Sequence, residues 1–162
     1  SGDIEVLNTS DNLTISYDIV IDAGEHMNWV LSSESGKEYT LEGTGEITIS
    51  TEETFTLERK AIIPIAYTLH QNYPNPFTSS TTIEYDVPET QQIVLRIFNI
   101  RGQLVKTLVE EEQSAGYKSV TWDGTNNNGD SVSAGIYFCQ MYTPANPYGG
   151  QFIRTKKMLR LR

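Results

Sequence analysis

Cysteine is nearly missing. Cys139 stands alone, so the chain can hold no internal disulfide framework and no zinc site built from several thiolates. Long apolar runs are missing too: no stretch approaches the roughly 20 consecutive apolar residues that a membrane-spanning helix needs. The start, Ser1-Gly2-Asp3-Ile4-Glu5, is acidic where a signal peptide is basic, which predicts either an intracellular protein or a piece cut from a longer precursor. Positive charge is scarce, with 12 Lys and Arg against 21 Asp and Glu and a formal net charge of −9. An acidic chain without a basic aromatic stripe argues against nucleic acid as a partner.

Catalytic signatures are lacking as well. His26 and His70 belong to no His-x-His or His-Glu-x-x-His pattern, and there is no phosphate loop, nucleotide fingerprint or Gly-x-Ser-x-Gly elbow. Cys139 shares a strand face with Tyr137 and Met141, the usual setting of a small buried thiol. Glu52-Glu53 and Glu110-Glu111-Glu112 read as solvated charge at strand ends rather than paired glycosidase acids. Asp123 to Asp130 carries oxygen side chains at calcium-like intervals, but the sixth and twelfth places fall on Asn128 and Ala134 instead of Gly and Glu. A turn is the expectation there. The chain is therefore expected to be no enzyme and to need no metal or cofactor.

What is present is strand pattern and turn chemistry. With 162 residues, 38% of them hydrophobic, there is material for one ordinary domain or two small ones. Charge divides the chain: residues 1–66 hold 13 Asp and Glu against 3 Lys and Arg, and residues 67–162 hold 8 against 9. Leu13, Ile15, Tyr17, Ile19 and Ile21 alternate as a half-buried strand, Ala23-Gly24 turns, and Met27, Trp29 and Leu31 alternate again. Further short strands follow at Lys37 to Leu41, Glu46 to Ser50 and Thr54 to Glu58, punctuated by Gly43 and Gly45. No 3.6-residue period of useful length occurs in these first 60 residues, so residues 1–62 read as a small acidic antiparallel β-module. Tyr17, Trp29 and Tyr39 would suit a sugar platform, but their alternating positions favour a core. Arg59 to Ala66 bridges to the next unit, with Ile62, Ile63 or Ile65 expected to be buried there.

The punctuation of the whole chain is Gln71-Asn72-Tyr73-Pro74-Asn75-Pro76-Phe77. Pro74 and Pro76 lock φ and lack donors, which excludes a helix and argues against a paired central strand. Tyr73 and Phe77 bracket them and are expected to pin this lead-in onto the domain that follows. Residues 63–162 then show strand patterns at Ile65 to Leu69, Thr81 to Val87, Gln92 to Asn99, Leu104 to Val109, Tyr117 to Trp122, Gly135 to Met141 and Phe152 to Leu161. Arg101-Gly102 fits a tight hairpin, and the spacing predicts an all-β sandwich.

These residues carry a resemblance. Leu69 to Phe77, then Thr82-Ile83-Glu84-Tyr85, Phe98 to Leu108, Val120 to Gly124, Ala134 to Phe138 and Thr155 to Met158, in that order, resemble the type A C-terminal sorting domain of the type IX (Por) secretion system. The likeness spans residues 65–162. It implies an immunoglobulin-like sandwich, related to that of flagellar hook-capping proteins, which acts as an address rather than a catalyst. The partners it implies are the outer-membrane translocon, a sortase-like peptidase and, through the cargo, anionic lipopolysaccharide. It implies a secreted or cell-surface destination after periplasmic transit. Gly135 and Tyr137 fall on the family's glycine-x-tyrosine element, and Lys156 and Lys157 on its terminal lysine element. The lysines would serve docking near a free chain end, while Gly135 would permit a close backbone approach. Thr78-Ser79-Ser80 and Cys139 depart from the common pattern. The alternative reading is an adhesive or carbohydrate-binding β-module of a surface protein.

Overall fold

The structure, a computed structural model, describes residues 2–9, 12–20, 26–50, 54–144 and 150–162. Ile21, Ala23-Gly24 and Glu52-Glu53 lie outside the described residues. Among those described there are strands and no helix, and the chain forms two compact units, Ser1–Ile62 and Ile63–Arg162.

The first unit holds β1 (Gly2–Thr9), β2 (Asn12–Ile19), β3 (Met27–Ser33), β4 (Glu38–Leu41), β5 (Gly43–Ser50) and β6 (Phe55–Ala61). They make two antiparallel sheets, ordered β1-β2-β5 and β4-β3-β6. Buried Ile15, Ile49 and Leu31 join the sheets, with Leu13, Ile47, Tyr39 and Phe55 partly buried around them. Gly43 and Gly45 do not interrupt the chain as expected. Both lie within β5, opposite Ile19 and Tyr17. The Tyr17 ring fills the space a side chain at Gly45 would take, since a Cβ there would meet the phenol oxygen at 2.5 Å. Arg59 to Ala61, expected in the bridge, complete β6 and pair with Met27 to Trp29. The Arg59 guanidinium lies 5.7 Å from the Trp29 ring centre, a cation–π arrangement between direct cross-strand partners.

The second unit holds β7 (Thr68–Leu69), β8 (Thr81–Val87), β9 (Gln91–Asn99), β10 (Leu104–Gln113), β11 (Gly116–Trp122), β12 (Gly135–Thr143) and β13 (Phe152–Arg160). One sheet is ordered β10-β9-β12-β13, the other β11-β8-β7, and every strand pair is antiparallel. The result is an immunoglobulin-like β-sandwich, as the even strand spacing implies. Ile83, Tyr85 and Val87 face Ile93, Leu95 and Ile97 across a core that also takes Trp122, Cys139, Met141 and Met158. Period-two alternation is what puts each of these sets on one face.

Several boundaries differ from the expectation. Of Ile62, Ile63 and Ile65, Ile65 is 100% exposed, Ile63 is exposed and Ile62 is half-buried, and the first strand is only Thr68–Leu69. Thr68 pairs with Asp86, so Ala66 would fall opposite Pro88, which has no amide to offer. The β9–β10 connection is longer than a two-residue hairpin. The Gly102 amide donates to the Asn99 carbonyl at 3.0 Å and Gly102 takes φ +74°, a turn followed by a glycine bulge. Glu110 to Glu112 are solvated at the end of β10, as expected, and Glu110 accepts two bonds from Arg96 at 3.0 and 3.1 Å.

Candidate functional site

β13 is the edge of the four-stranded sheet, and an edge exposes a row of unpaired amides and carbonyls. The proline lead-in covers part of it. The Phe77 amide donates to the Leu159 carbonyl at 3.0 Å, and the Leu161 amide donates to the Phe77 carbonyl at 2.7 Å. One step along, the Asn75 side chain does what a peptide group would do. Its Oδ1 accepts the Leu159 amide at 3.0 Å and its Nδ2 donates to the Lys157 carbonyl at 3.2 Å. Gln71 Nε2 donates to that same carbonyl at 2.9 Å. Prolines cannot supply donors to a sheet edge, so the amide side chains beside them supply the pairing.

The lead-in is held from behind by Asn72, which is buried. Its Nδ2 donates to the Pro74 carbonyl at 3.0 Å and to Thr81 Oγ1 at 2.8 Å, while Thr81 Oγ1 donates to the Pro74 carbonyl at 2.8 Å. The Tyr73-Pro74 and Asn75-Pro76 peptides are both cis. Phe77 is buried as expected, with its ring 5.4 Å from Trp122, which in turn meets Tyr137 edge-on at 5.2 Å. Tyr73 is not a pin: its side chain is 81% exposed, and only its backbone is engaged, in a two-bond bridge with Thr82. One aromatic, not two, anchors the segment.

Gly135 and Tyr137 lie on β12, directly beside β13, where they pair with Arg160 and Met158. Tyr137 turns into the core and donates to the Ser133 carbonyl at 2.7 Å. Burial pushes its phenol pKa up, partly opposed by the charge of Arg160. Gly135 makes no close approach, contrary to expectation, because nothing lies within 4 Å of a Cβ built there.

Lys156 and Lys157 pair with Cys139 and Phe138 in the middle of β12–β13. They lie within β13, in the strand expected over Phe152 to Leu161. Successive strand residues face opposite sides, so half-buried Lys156 shares the side of Cys139, and exposed Lys157 shares the side of Phe138. Neither forms an ion pair among the described residues. A receptor touching both ammonium groups must therefore wrap the edge of β13.

The remaining candidates are held in packing and turn contacts. Cys139 is buried, and burial pushes its thiol up to about 12. His70 Nε2 lies 2.9 Å from both carboxylate oxygens of Asp86. Asp123 Oδ1 accepts from the Thr125 hydroxyl at 2.7 Å and amide at 3.0 Å, and those bonds hold its carboxyl below the usual range. Asn126 Oδ1 likewise accepts the amides of Asn128 and Asp130, and Asn127 Oδ1 accepts the Thr107 amide on β10. Asp123 Oδ1, Asn126 Oδ1 and Asn127 Oδ1 thus accept backbone amides that shape the turn. Among the described residues no group of three or more His, Cys, Asp and Glu gathers to hold a metal ion.

Two features were missed in the sequence. The edge-capping role of Gln71 and Asn75 had a signal, amide side chains on either side of donorless prolines. Arg160 had none: its guanidinium donates to the Val132 carbonyl and, at 3.0 Å, to Ser131 Oγ, packing over Gly124.

Residues 75–146, from Asn75 of the lead-in past Tyr137, match the model of the FlgD Ig-like domain. That stretch is similar to an immunoglobulin-like domain in sequence as well as in fold. No curated protein matches the chain. Among solved structures, dimeric latent PorU from Porphyromonas gingivalis shares the fold at a TM-score of 0.50 and 13% identity, over 99% of this chain. The chain spans 20% of that PorU chain's length. A pullulanase from Anoxybacillus sp., complexed with maltotriose, aligns over 94% of this chain and 25% of its own, at 13% identity and a TM-score of 0.32.

Proposed function

We propose that residues 63–162 are a non-enzymatic address that carries a cargo joined ahead of them across a bacterial outer membrane by the type IX secretion system, to the cell surface. One observation carries this reading. Three of the elements that carry the family resemblance, the lead-in Asn72 to Phe77, the pair Gly135 and Tyr137, and the pair Lys156 and Lys157, are far apart in sequence and meet on and beside one strand. A shared edge explains why a label would need all three: the lead-in shapes the edge, β12 fixes it to the core, and the lysines give it charge. In this reading the translocon reads the edge, a sortase-like peptidase removes the domain, and the cargo is attached to anionic lipopolysaccharide. Charge-assisted bonds from lysine to carboxylate would give the docking its selectivity.

The test uses a periplasmic reporter fused ahead of the chain in a bacterium that has the type IX system. Lys157→Glu is expected to lower surface-exposed reporter at least tenfold, while Lys118→Glu on β11, in the opposite sheet, leaves it unchanged. Equal export from both variants would overturn the reading.

A further inference from the structure

The outer face of the sheet β10-β9-β12-β13 is unusually apolar at one end. Direct cross-strand partners share a face, and the register runs Leu104 to Phe98 to Phe138 to Lys157 across all four strands. In the next row Ile136 stands opposite Leu159, and Ile100 projects from the turn after β9, 70% exposed. Leu104, Ile136 and Leu159 are exposed as well. Four large apolar side chains exposed together on one small sheet end are more than single surface residues scattered by chance.

The same end carries charge of one sign. Residues 98–104, 133–138 and 157–162 contain Arg101, Lys157, Arg160 and Arg162 and no Asp or Glu, in a chain whose net charge is −9. Arg160 is engaged with Val132 and Ser131. Arg101, Lys157 and Arg162 form no ion pair among the described residues. Between Phe98, Ile100, Phe138 and Thr155 the surface is dished, with a volume of about 400 Å³.

We propose that this dished, cation-rimmed face docks a protein surface that presents a protruding apolar side chain ringed by carboxylates. Three observations select that occupant. The dish is concave, so it receives a side chain, whereas a bilayer is entered by side chains that protrude. Lys157, on this face by register, and Arg101, between Ile100 and Gly102 in the turn, are fewer free cations than the four to eight that mark a lipid-binding cluster. A second copy using the same face would set one cationic rim against another with no carboxylate to answer it. The proposal deepens the reading above and rests on it only in placing the partner within the export machinery.

The experiment uses the full chain and a synthetic probe, a twelve-residue peptide of alternating leucine and glutamate, followed by fluorescence anisotropy. Its counterpart has lysine for glutamate. The leucine–glutamate peptide is expected to bind, to weaken as salt rises, and to lose at least tenfold in affinity with Ile100→Ser or Arg101→Glu. Ile153→Ser, at the other end of the same strand edge, is expected to change nothing. Trp122 fluorescence, isolated by Trp29→Phe, reports whether each variant remains folded, and Arg101→Glu alters only an exposed turn, so loss of binding there is not loss of fold. Equal binding of the two peptides, no effect of either variant, tighter binding to anionic phosphatidylglycerol vesicles, or self-association abolished by Ile100→Ser would each overturn the proposal. Export measured in parallel separates the two claims. Peptide binding lost with export unchanged removes this face from recognition and leaves the address standing. Peptide binding kept in a chain that exports nothing leaves the face standing and removes the address.

Discussion

The two units are built from the same material, antiparallel strands in two sheets, and differ in what lies between the sheets. In the second unit Trp122, Tyr85, Phe77, Met141 and Met158 are all among the fully buried side chains, and its core cluster draws on nearly every strand. In the first unit the described cluster is Ile15, Leu31 and Ile49, with aromatics only at its margin. Backbone pairing is comparable; the buried side chains described in the second unit are larger and include aromatics. Hydrophobic stabilisation follows area, and small two-layer β units are marginal without it. Among the described side chains the second unit buries the larger apolar groups, and its sheet surfaces rest on that core.

The largest test of that contrast compares one core truncation in each unit. Each unit has one tryptophan, Trp29 and Trp122, so each can be followed alone after replacing the other by Phe. Ile97→Ala is expected to cost roughly 3 to 5 kcal/mol in urea unfolding read by Trp122, because it empties a fully closed site. Leu31→Ala, read by Trp29, is expected to cost about half as much, since the small cluster around it can collapse or admit water. Equal losses would break the comparison.

Two glycines sharpen it further. A Cβ at Gly124 would sit 2.5 Å from Arg160 Nε, and one at Gly45 would sit 2.5 Å from the Tyr17 phenol oxygen. Gly124 has φ +71° and its neighbour is pinned by hydrogen bonds, so Gly124→Ala is expected to lose about 2 kcal/mol. The Tyr17 ring can swing out, and Gly45→Ala in the first unit is expected to change stability by less than about 0.5 kcal/mol. Matching losses would show that the first unit is as tightly held as the second.

Smaller still, Asn75→Ala removes two bonds to the edge of β13 and is expected to cost about 1 kcal/mol. Faster amide exchange at Leu159 would confirm that the cap, and not the core, was lost. Cys139 gives the least effect at neutral pH. Its thiol is held neutral by burial, up to about 12 against an ordinary 9.0, so native protein is expected to resist alkylation at pH 8. The stability that comes from keeping it neutral is whole below pH 9 and falls as pH rises from 9 towards 12, where the unfolded chain alone ionises. Alkylation at the rate of a free thiol would contradict the closed core.

Much of the fold was legible because strand alternation and turn residues are local signals. Leu95 and Ile97 sit on one alternating face with Asn99 and are buried, though Asn99 at the strand end is only half-buried, and Gly102 marked its turn. What was not legible depended on partners distant in sequence. Gly45 reads as a break until Tyr17 is seen lying across it, and Ile65 reads as strand until Pro88 is found opposite Ala66. Lys156 and Lys157 read as one basic pair, but pairing with β12 sends them to opposite faces. Asn75 looked like a turn former; its role as a substitute peptide appears only when β13 is beside it.

The central claim, that the second unit alone carries the address, is tested most directly by exchanging the units. A periplasmic reporter followed by residues 63–162 should reach the surface of a type IX-competent cell, and the same reporter followed by residues 1–62 should stay in the periplasm. Surface reporter at equal levels from both fusions, or from neither, would contradict it.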